Sequence, residues 1–264
     1  MRNHNRKLAR ADGAMVRSLA MALSMLLGAV MIPEVAHARM KLPFICAVDH
    51  AVLSADSEQT EQISPYEEFA MSHIPGAVNV APKPGLPMSQ YTSDVGEIEK
   101  LVHRDKGSLI ILYCNGPFCG KSKRVAADLL KAGYENVQRY QLGIPVWRAL
   151  GHETQAEGDA IWATLDKDKT AVVIDAREPA AFQAKSLPGA RNVRASEVTK
   201  AKDDGRLPML DHNTRIFVIG KDGAEARAAA QEIAKNAFHN VAFFAGSAEE
   251  LMRSRSSAAA TETR

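Results

Sequence analysis

The 264-residue chain is short of several things, and each shortage excludes a class of protein. It has three cysteines, Cys46, Cys114 and Cys119, too few for a scaffold built on disulfides. Three is an odd number, so at least one thiol has no partner within the chain. Charge of one sign is hardly in excess, with 33 Lys+Arg against 31 Asp+Glu, which excludes a strongly basic nucleic-acid binder. No apolar run reaches the roughly 20 residues that a membrane-spanning helix needs. No His/Cys/Asp spacing resembles a metal site. Gly120-Lys121-Ser122 lacks the earlier glycine of a phosphate-binding P-loop, because that position is Asn115. What is present is ordinary globular composition, 46% hydrophobic and 24% charged, which excludes a wholly disordered chain.

The longest apolar run covers residues 18–32. Arg2, Arg6, Lys7, Arg10 and Arg17 precede it, and the small-residue pattern Ala36-His37-Ala38 follows. A basic start, a short apolar middle and an A-x-A end predict a secretory signal peptide over residues 1–38. No cysteine directly follows the run, which argues against a lipid anchor. Cleavage after Ala38 would take five basic and two acidic groups away and change the formal net charge from +2 to −1. The positive balance therefore says nothing about an acidic partner. The expected location is an exported compartment, most simply a bacterial periplasm, with no stable membrane anchor after cleavage.

The remainder reads as two similar halves. His73-Ile74-Pro75-Gly76-Ala77-Val78-Asn79-Val80 matches Ser186-Leu187-Pro188-Gly189-Ala190-Arg191-Asn192-Val193. The strand-like run from Leu109 to Tyr113 matches the run from Arg215 to Ile219. Each leads through a short loop into an Ala-rich amphipathic helix, over residues 122–132 and 224–236. Tyr134-Glu135-Asn136-Val137 then matches Phe238-His239-Asn240-Val241 as the start of a further strand. The offset between halves falls from 106 at Tyr113/Ile219 to 104 at Val137/Val241, so the first half carries about two extra residues in one loop. Strands alternating with helices predict an α/β fold with two domains, each a mainly parallel sheet flanked by helices on both faces. The expected boundaries are 41–151 for the first domain and 159–253 for the second. The polar residues 152–158 are expected to form the linker, and residues 254–264 a disordered tail.

The loop after the first matched strand carries the chemistry. It runs Cys114-Asn115-Gly116-Pro117-Phe118-Cys119-Gly120-Lys121-Ser122. A cysteine at the carboxyl end of a parallel strand sits where open α/β sheets place their sites. The following helix start offers unpaired backbone N–H groups and positive partial charge, which stabilise a thiolate and hold an anion beside it. Gly116 and Gly120 are expected to let backbone approach the sulfur. Lys121, Lys123 and Arg124 add positive charge. The pattern predicts a nucleophilic cysteine serving an anionic substrate. Phosphatase chemistry of the Cys-x5-Arg kind is excluded, because the arginine position is Gly120.

Phe69, His73 to Ala77, Leu112-Tyr113-Cys114, the loop, Ala126 to Leu130, Gly133 to Val137 and Gly143 with Trp147 together resemble a rhodanese domain. The second half resembles one too, opening with Val173-Ile174-Asp175-Ala176-Arg177-Glu178-Pro179. The resemblance covers nearly all of residues 59–251. It implies a sulfurtransferase of the thiosulfate sulfurtransferase type, acting without a cofactor. A loop cysteine takes sulfane sulfur from a small anionic donor, forms a persulfide and passes the sulfur to a thiol or cyanide-like acceptor, free or on a protein. By position the nucleophile is Cys114, and Asn115, Gly116, Phe118, Gly120, Lys121 and Ser122 form the substrate cradle.

Three features depart from the family pattern. The second half has Gly220 where the first has Cys114, so it is expected to be a silent partner, the reverse of many tandem members. Asp175 and Arg177 have no match near residues 62–64, and Cys46 precedes the first domain proper. The first loop is long and resembles a Cys-x-Gly-Pro-x-Cys variant of some exported relatives. Its Cys119 is a candidate resolving thiol, able to attack a Cys114 persulfide, release sulfide and close a disulfide. Two other readings stay open, a sulfur carrier without turnover and a thiol-disulfide redox protein using Cys114 and Cys119. The Cys-x4-Cys spacing counts against the last. His73 is expected to be structural, and Trp147 and Trp162 packing anchors.

Overall fold

The computed structural model describes residues 44–46, 65–80 and 95–262. The expected signal peptide, residues 1–38, lies outside them. Among the described residues no helix is long and apolar enough to cross a membrane, and no cluster of three or more His, Cys, Asp or Glu stands ready for a metal ion.

Two all-parallel sheets carry the fold. The first contains β1 (Phe44–Cys46), β2 (Ala77–Asn79), β3 (Ile110–Tyr113) and β4 (Val137–Tyr140), in the order β2-β1-β3-β4. The second contains β5 (Thr154–Ala156), β6 (Val172–Asp175), β7 (Arg191–Asn192), β8 (Ile216–Ile219) and β9 (Val241–Phe244), in the order β5-β9-β8-β6-β7. Helices α1 (Pro65–Met71), α2 (Val95–Leu101), α3 (Gly120–Lys131) and α4 (Gly143–Ala149) accompany the first sheet. Helices α5 (Gly158–Lys167), α6 (Pro179–Ala184), α7 (Val198–Asp203), α8 (Gly223–Ala234) and α9 (Ala248–Glu262) accompany the second.

Strands β3, β6, β8 and β9 are largely apolar on both faces because each face meets a helical layer. In the second half Ile174, Ile216, Val218 and Phe243 pack on one side with Ala226, Ala230 and Ile233 of α8. Their neighbours Val173, Phe217, Ile219 and Ala242 pack on the other side with Ile161 of α5 and Leu251 of α9. The first half repeats this. Ile110 and Leu112 join Val125 and Leu129 of α3, while Tyr113 joins Phe69 of α1 and Ile144 of α4.

The duplicated Pro-Gly is the same turn twice. Ala77 N–H donates to Ile74 O at 3.0 Å around Gly76 at φ +80°, and Ala190 N–H donates to Leu187 O at 3.0 Å around Gly189 at φ +75°. Proline then glycine with positive φ is the sequence a type II turn requires. The first turn is tied to the candidate site, because Ile74 N–H donates to the Tyr113 hydroxyl at 3.1 Å.

Three expectations need correction. Residues 152–158 do not form a linker, since they contain β5, which pairs in parallel with β9. Their polarity is satisfied at long range, which composition does not reveal. Thr154 Oγ1 donates to Val241 O at 2.9 Å, and the Glu153 carboxylate accepts from Arg227 Nε at 2.8 Å. Residues 254–262 continue helix α9 where a disordered tail is expected. Arg255 pairs with Asp166 at 2.8 Å, and the Ala258-Ala259-Ala260 run favours helix. Cys46 does not precede the first domain but ends its strand β1. It lies beside Tyr113 as Asp175 lies beside Ile219, so Cys46 occupies the register position of Asp175.

Candidate active site

The loop from Cys114 to Cys119 spans the gap between β3 and α3. Its second-half counterpart is shorter, from Gly220 to Asp222, and both helices have 12 residues. The excess length therefore sits in the loop that carries both cysteines. Cys114 follows directly on β3 and is 3% exposed. Cys119 is the half-buried residue that caps the start of α3, with no side-chain cap of its own. The two form a disulfide, with Cα atoms 6.3 Å apart.

Ser122, 2% exposed on the first turn of α3, places Oγ 3.3 Å from Cys114 Sγ. Arg139 of β4 donates to the same Oγ from Nε at 3.3 Å and Nη2 at 3.2 Å. A guanidinium has donors only, and so takes up the lone pairs of the hydroxyl. The single Ser122 proton is left to point at Cys114 Sγ. That arrangement stabilises negative charge on this sulfur.

On the other side, Asn115 Nδ2 donates to Glu68 Oε1 of α1. Burial pushes the Glu68 carboxyl up to about 7, against the opposing pull of Arg148. Burial holds the Arg148 guanidinium below its ordinary range, and Arg215 adds to the effect. Arg148 Nε is buried with no hydrogen-bond partner among the described residues. Gly143 at φ +66° closes the floor. A Cβ there would run into the carbonyl oxygen of Cys114 and the backbone of Gly116. Ile144 N–H then donates to Cys114 O at 3.3 Å, fixing the strand end.

The expected cradle residues divide. Ser122 meets the Cys114 sulfur, whereas Asn115 turns to Glu68 and Gly116 is buried against Gly143. Phe118 stands wholly exposed at the loop tip. Gly120 is the first residue of α3, and a Cβ there would meet nothing within 4 Å, so the structure assigns it no close approach. Lys121 is buried, whereas Lys123 and Arg124 are exposed. His73 is buried and stacked on Phe69 at 3.9 Å. Its Nδ1 donates to Phe69 O at 2.9 Å, and burial lowers its pKa to about 4. It is a neutral packing group. Trp147 and Trp162 donate to the backbone carbonyls of Glu153 and Leu251, as packing anchors do.

Glu68, Gly143, Arg148 and Arg139 were not among the expected site residues. For Arg139 the signal lies in the repeat. Val137-Gln138-Arg139-Tyr140 aligns with Val241-Ala242-Phe243-Phe244, so a charge stands where the second half has a phenylalanine.

The second half closes its loop instead of opening it. A Cβ at Gly220 would lie 2.7 Å from Ala226 N and 2.9 Å from Asp222 O. Lys221 N–H donates to the Glu225 carboxylate at 2.7 Å, and Glu225 N–H donates to Asp222 at 2.8 Å. Two of the backbone donors that could face an anion are thus taken by the chain's own carboxylates. Nearby, the buried Arg177 binds Asp175, Glu249 and Lys185 O, and Asp175 raises its pKa further.

The rhodanese-like domain model matches this chain twice, over residues 55–150 and 158–254. No curated protein sequence matches it. Among solved structures it is similar to thiosulfate sulfurtransferase from Pseudomonas aeruginosa, at 21% identity and TM-score 0.29. That match covers 77% of this chain but only 38% of the Pseudomonas chain. It is similar to SseA from Escherichia coli, a 3-mercaptopyruvate sulfotransferase, at 17% identity and TM-score 0.31, over 78% and 92% of the two chains. A probable thiosulfate sulfurtransferase matches at 17% identity and TM-score 0.28, over 80% and 95%. Because the two domain matches together take in most of the residues, the chain belongs to the rhodanese-like domain family.

Proposed function

We propose that this chain is an exported sulfurtransferase that works through a persulfide on Cys114. The observation that carries the reading is the buried Cys114 sulfur at the end of β3, faced by the Ser122 hydroxyl with Arg139 behind it. The Cys114 thiolate attacks the sulfane sulfur of a thiosulfate-like donor. The donor's S–S bond breaks, sulfite leaves with the electron pair, and Cys114 holds the persulfide. A thiophilic acceptor then takes the outer sulfur, and Cys114 leaves as a thiolate. Ser122 donates to that thiolate, so it lowers the barrier of the second step. The α3 start helps in the same sense. The second domain acts as a silent partner, since Gly220 offers no nucleophile and its loop has no room for one.

The test is direct. The reduced protein is incubated with thiosulfate and cyanide, and thiocyanate is followed over time. Wild-type protein is expected to turn over and Cys114→Ser to be inactive. Thiocyanate formation that survives Cys114→Ser would end the assignment.

A further inference from the structure

We propose that the loop releases its sulfur as free sulfide, with Cys119 as the resolving thiol and an external dithiol as the final electron donor. This rests on the Cys114 persulfide reading and adds the fate of the sulfur and the point of attack of the reductant.

The two thiols of the loop are unequal in place. Cys114 is buried, while Cys119 is half-buried beside the wholly exposed Phe118 and the exposed Gly120. Their Cα separation of 6.3 Å lies within the range a disulfide spans, with β3 and α3 both intact. The bond thus joins the sulfur of Cys119 to the inner sulfur of any persulfide on Cys114, the Sγ atom itself. Attack on the outer sulfur would only move the persulfide to Cys119. Attack on the inner sulfur displaces the outer one as hydrosulfide. The proton of the Cys119 thiol leaves with it, and the Cys114–Cys119 disulfide forms. Charge and atoms balance, with one thiol and one persulfide anion giving one disulfide and one hydrosulfide.

Reduction restarts the cycle. A dithiol attacks the reachable sulfur, Cys119, and Cys114 is the leaving group. The leaving thiolate forms where the Ser122 proton points and Arg139 holds it. Further attack within the dithiol frees Cys119 as a thiol, with one proton released to solvent. The sum converts a thiosulfate-like donor and a dithiol to sulfite, sulfide and a disulfide. The silent half cannot do this, because its short loop has neither thiol.

The test is a single turnover of the reduced full chain with thiosulfate, under anaerobic conditions and with no other acceptor. The wild type is expected to release sulfite and sulfide in equal amounts and to lose two thiols, with Cys114 linked to Cys119 in the peptide map. Cys119→Ser and Cys119→Ala are expected to release sulfite only and to gain the mass of one sulfur on Cys114. A wild type that keeps its persulfide and yields no sulfide would overturn the proposal while leaving the sulfurtransferase reading intact. No sulfite from any of the proteins would remove both. In a second arm, the oxidised protein is mixed with glutathione and the mixed disulfide is trapped. The adduct is expected on Cys119, and an adduct on Cys114 would overturn the point of attack.

Discussion

Ser122→Ala isolates the contact on which the site's electrostatics depend. The change removes one hydroxyl, 2% exposed, whose oxygen lies 3.3 Å from Cys114 Sγ and accepts from Arg139. Hydrogen bonds to charged groups contribute about 1.5–3 kcal/mol. A contact to a large sulfur at 3.3 Å belongs near the lower end. About 1.4 kcal/mol corresponds to one pH unit and a tenfold change in thiolate fraction. The readout is the pH profile for iodoacetamide alkylation of Cys114 in the reduced protein. In Ser122→Ala its midpoint is expected to move up by about one unit, with alkylation near neutral pH slower by about tenfold. Ser122→Thr keeps the hydroxyl and should restore the profile. Arg139→Gln leaves the hydroxyl but weakens the orientation of its proton, so a smaller shift in the same direction is expected. A Ser122→Ala profile that overlays the wild type would refute the claim that Ser122 stabilises the Cys114 thiolate.

Gly143→Ala should open the site floor, because its Cβ would collide with Cys114 O and Gly116, and left-handed backbone alone costs a non-glycine about 1–2 kcal/mol; the check is a lowered melting temperature together with lost Cys114 alkylation. Glu68 carries its proton in the folded state up to about pH 7, while the unfolded chain loses it near 4.5. The folded form therefore binds more protons in that window, and stability should fall as pH rises through it. Glu68→Gln is expected to flatten that slope in urea unfolding measured at several pH values, and an unchanged slope would assign it to other groups. Gly220→Cys should neither load sulfur nor fold as stably as wild type, since its Cβ would press on Ala226 N and Asp222 O; persulfide on that residue by mass spectrometry would show that the second loop opens.

What could be read from the sequence and what could not differ in how local the determining contacts are. Ile110 to Tyr113 and Ile216 to Ile219 announce themselves as buried parallel strands, because both faces of each need apolar side chains and nothing else. The Pro-Gly turns are equally local, since Gly76 and Gly189 adopt positive φ within four residues. Cys114 is legible because the strand end, the loop and the helix start are contiguous. Strand β5 is not, because Thr154 and Glu153 look like linker residues until Val241, Arg227 and Gln231 are brought to them from far along the chain. Strand β1 is three residues long and has Cys46 where its repeat has Asp175, so the motif that would mark it is absent. Glu68 reads as one of two acids in a short surface helix, and only the fold sets its carboxylate against Asn115. Arg139 lies between these extremes. No local pattern marks it, but the duplicated chain provides its own control. Where one half has Cys114 the neighbouring strand has arginine, and where that position is Gly220 the strand has Phe243 packed into the core. The paired differences, Cys114 with Arg139 against Gly220 with Phe243, set a polar contact beside the sulfur in one half against apolar packing in the other.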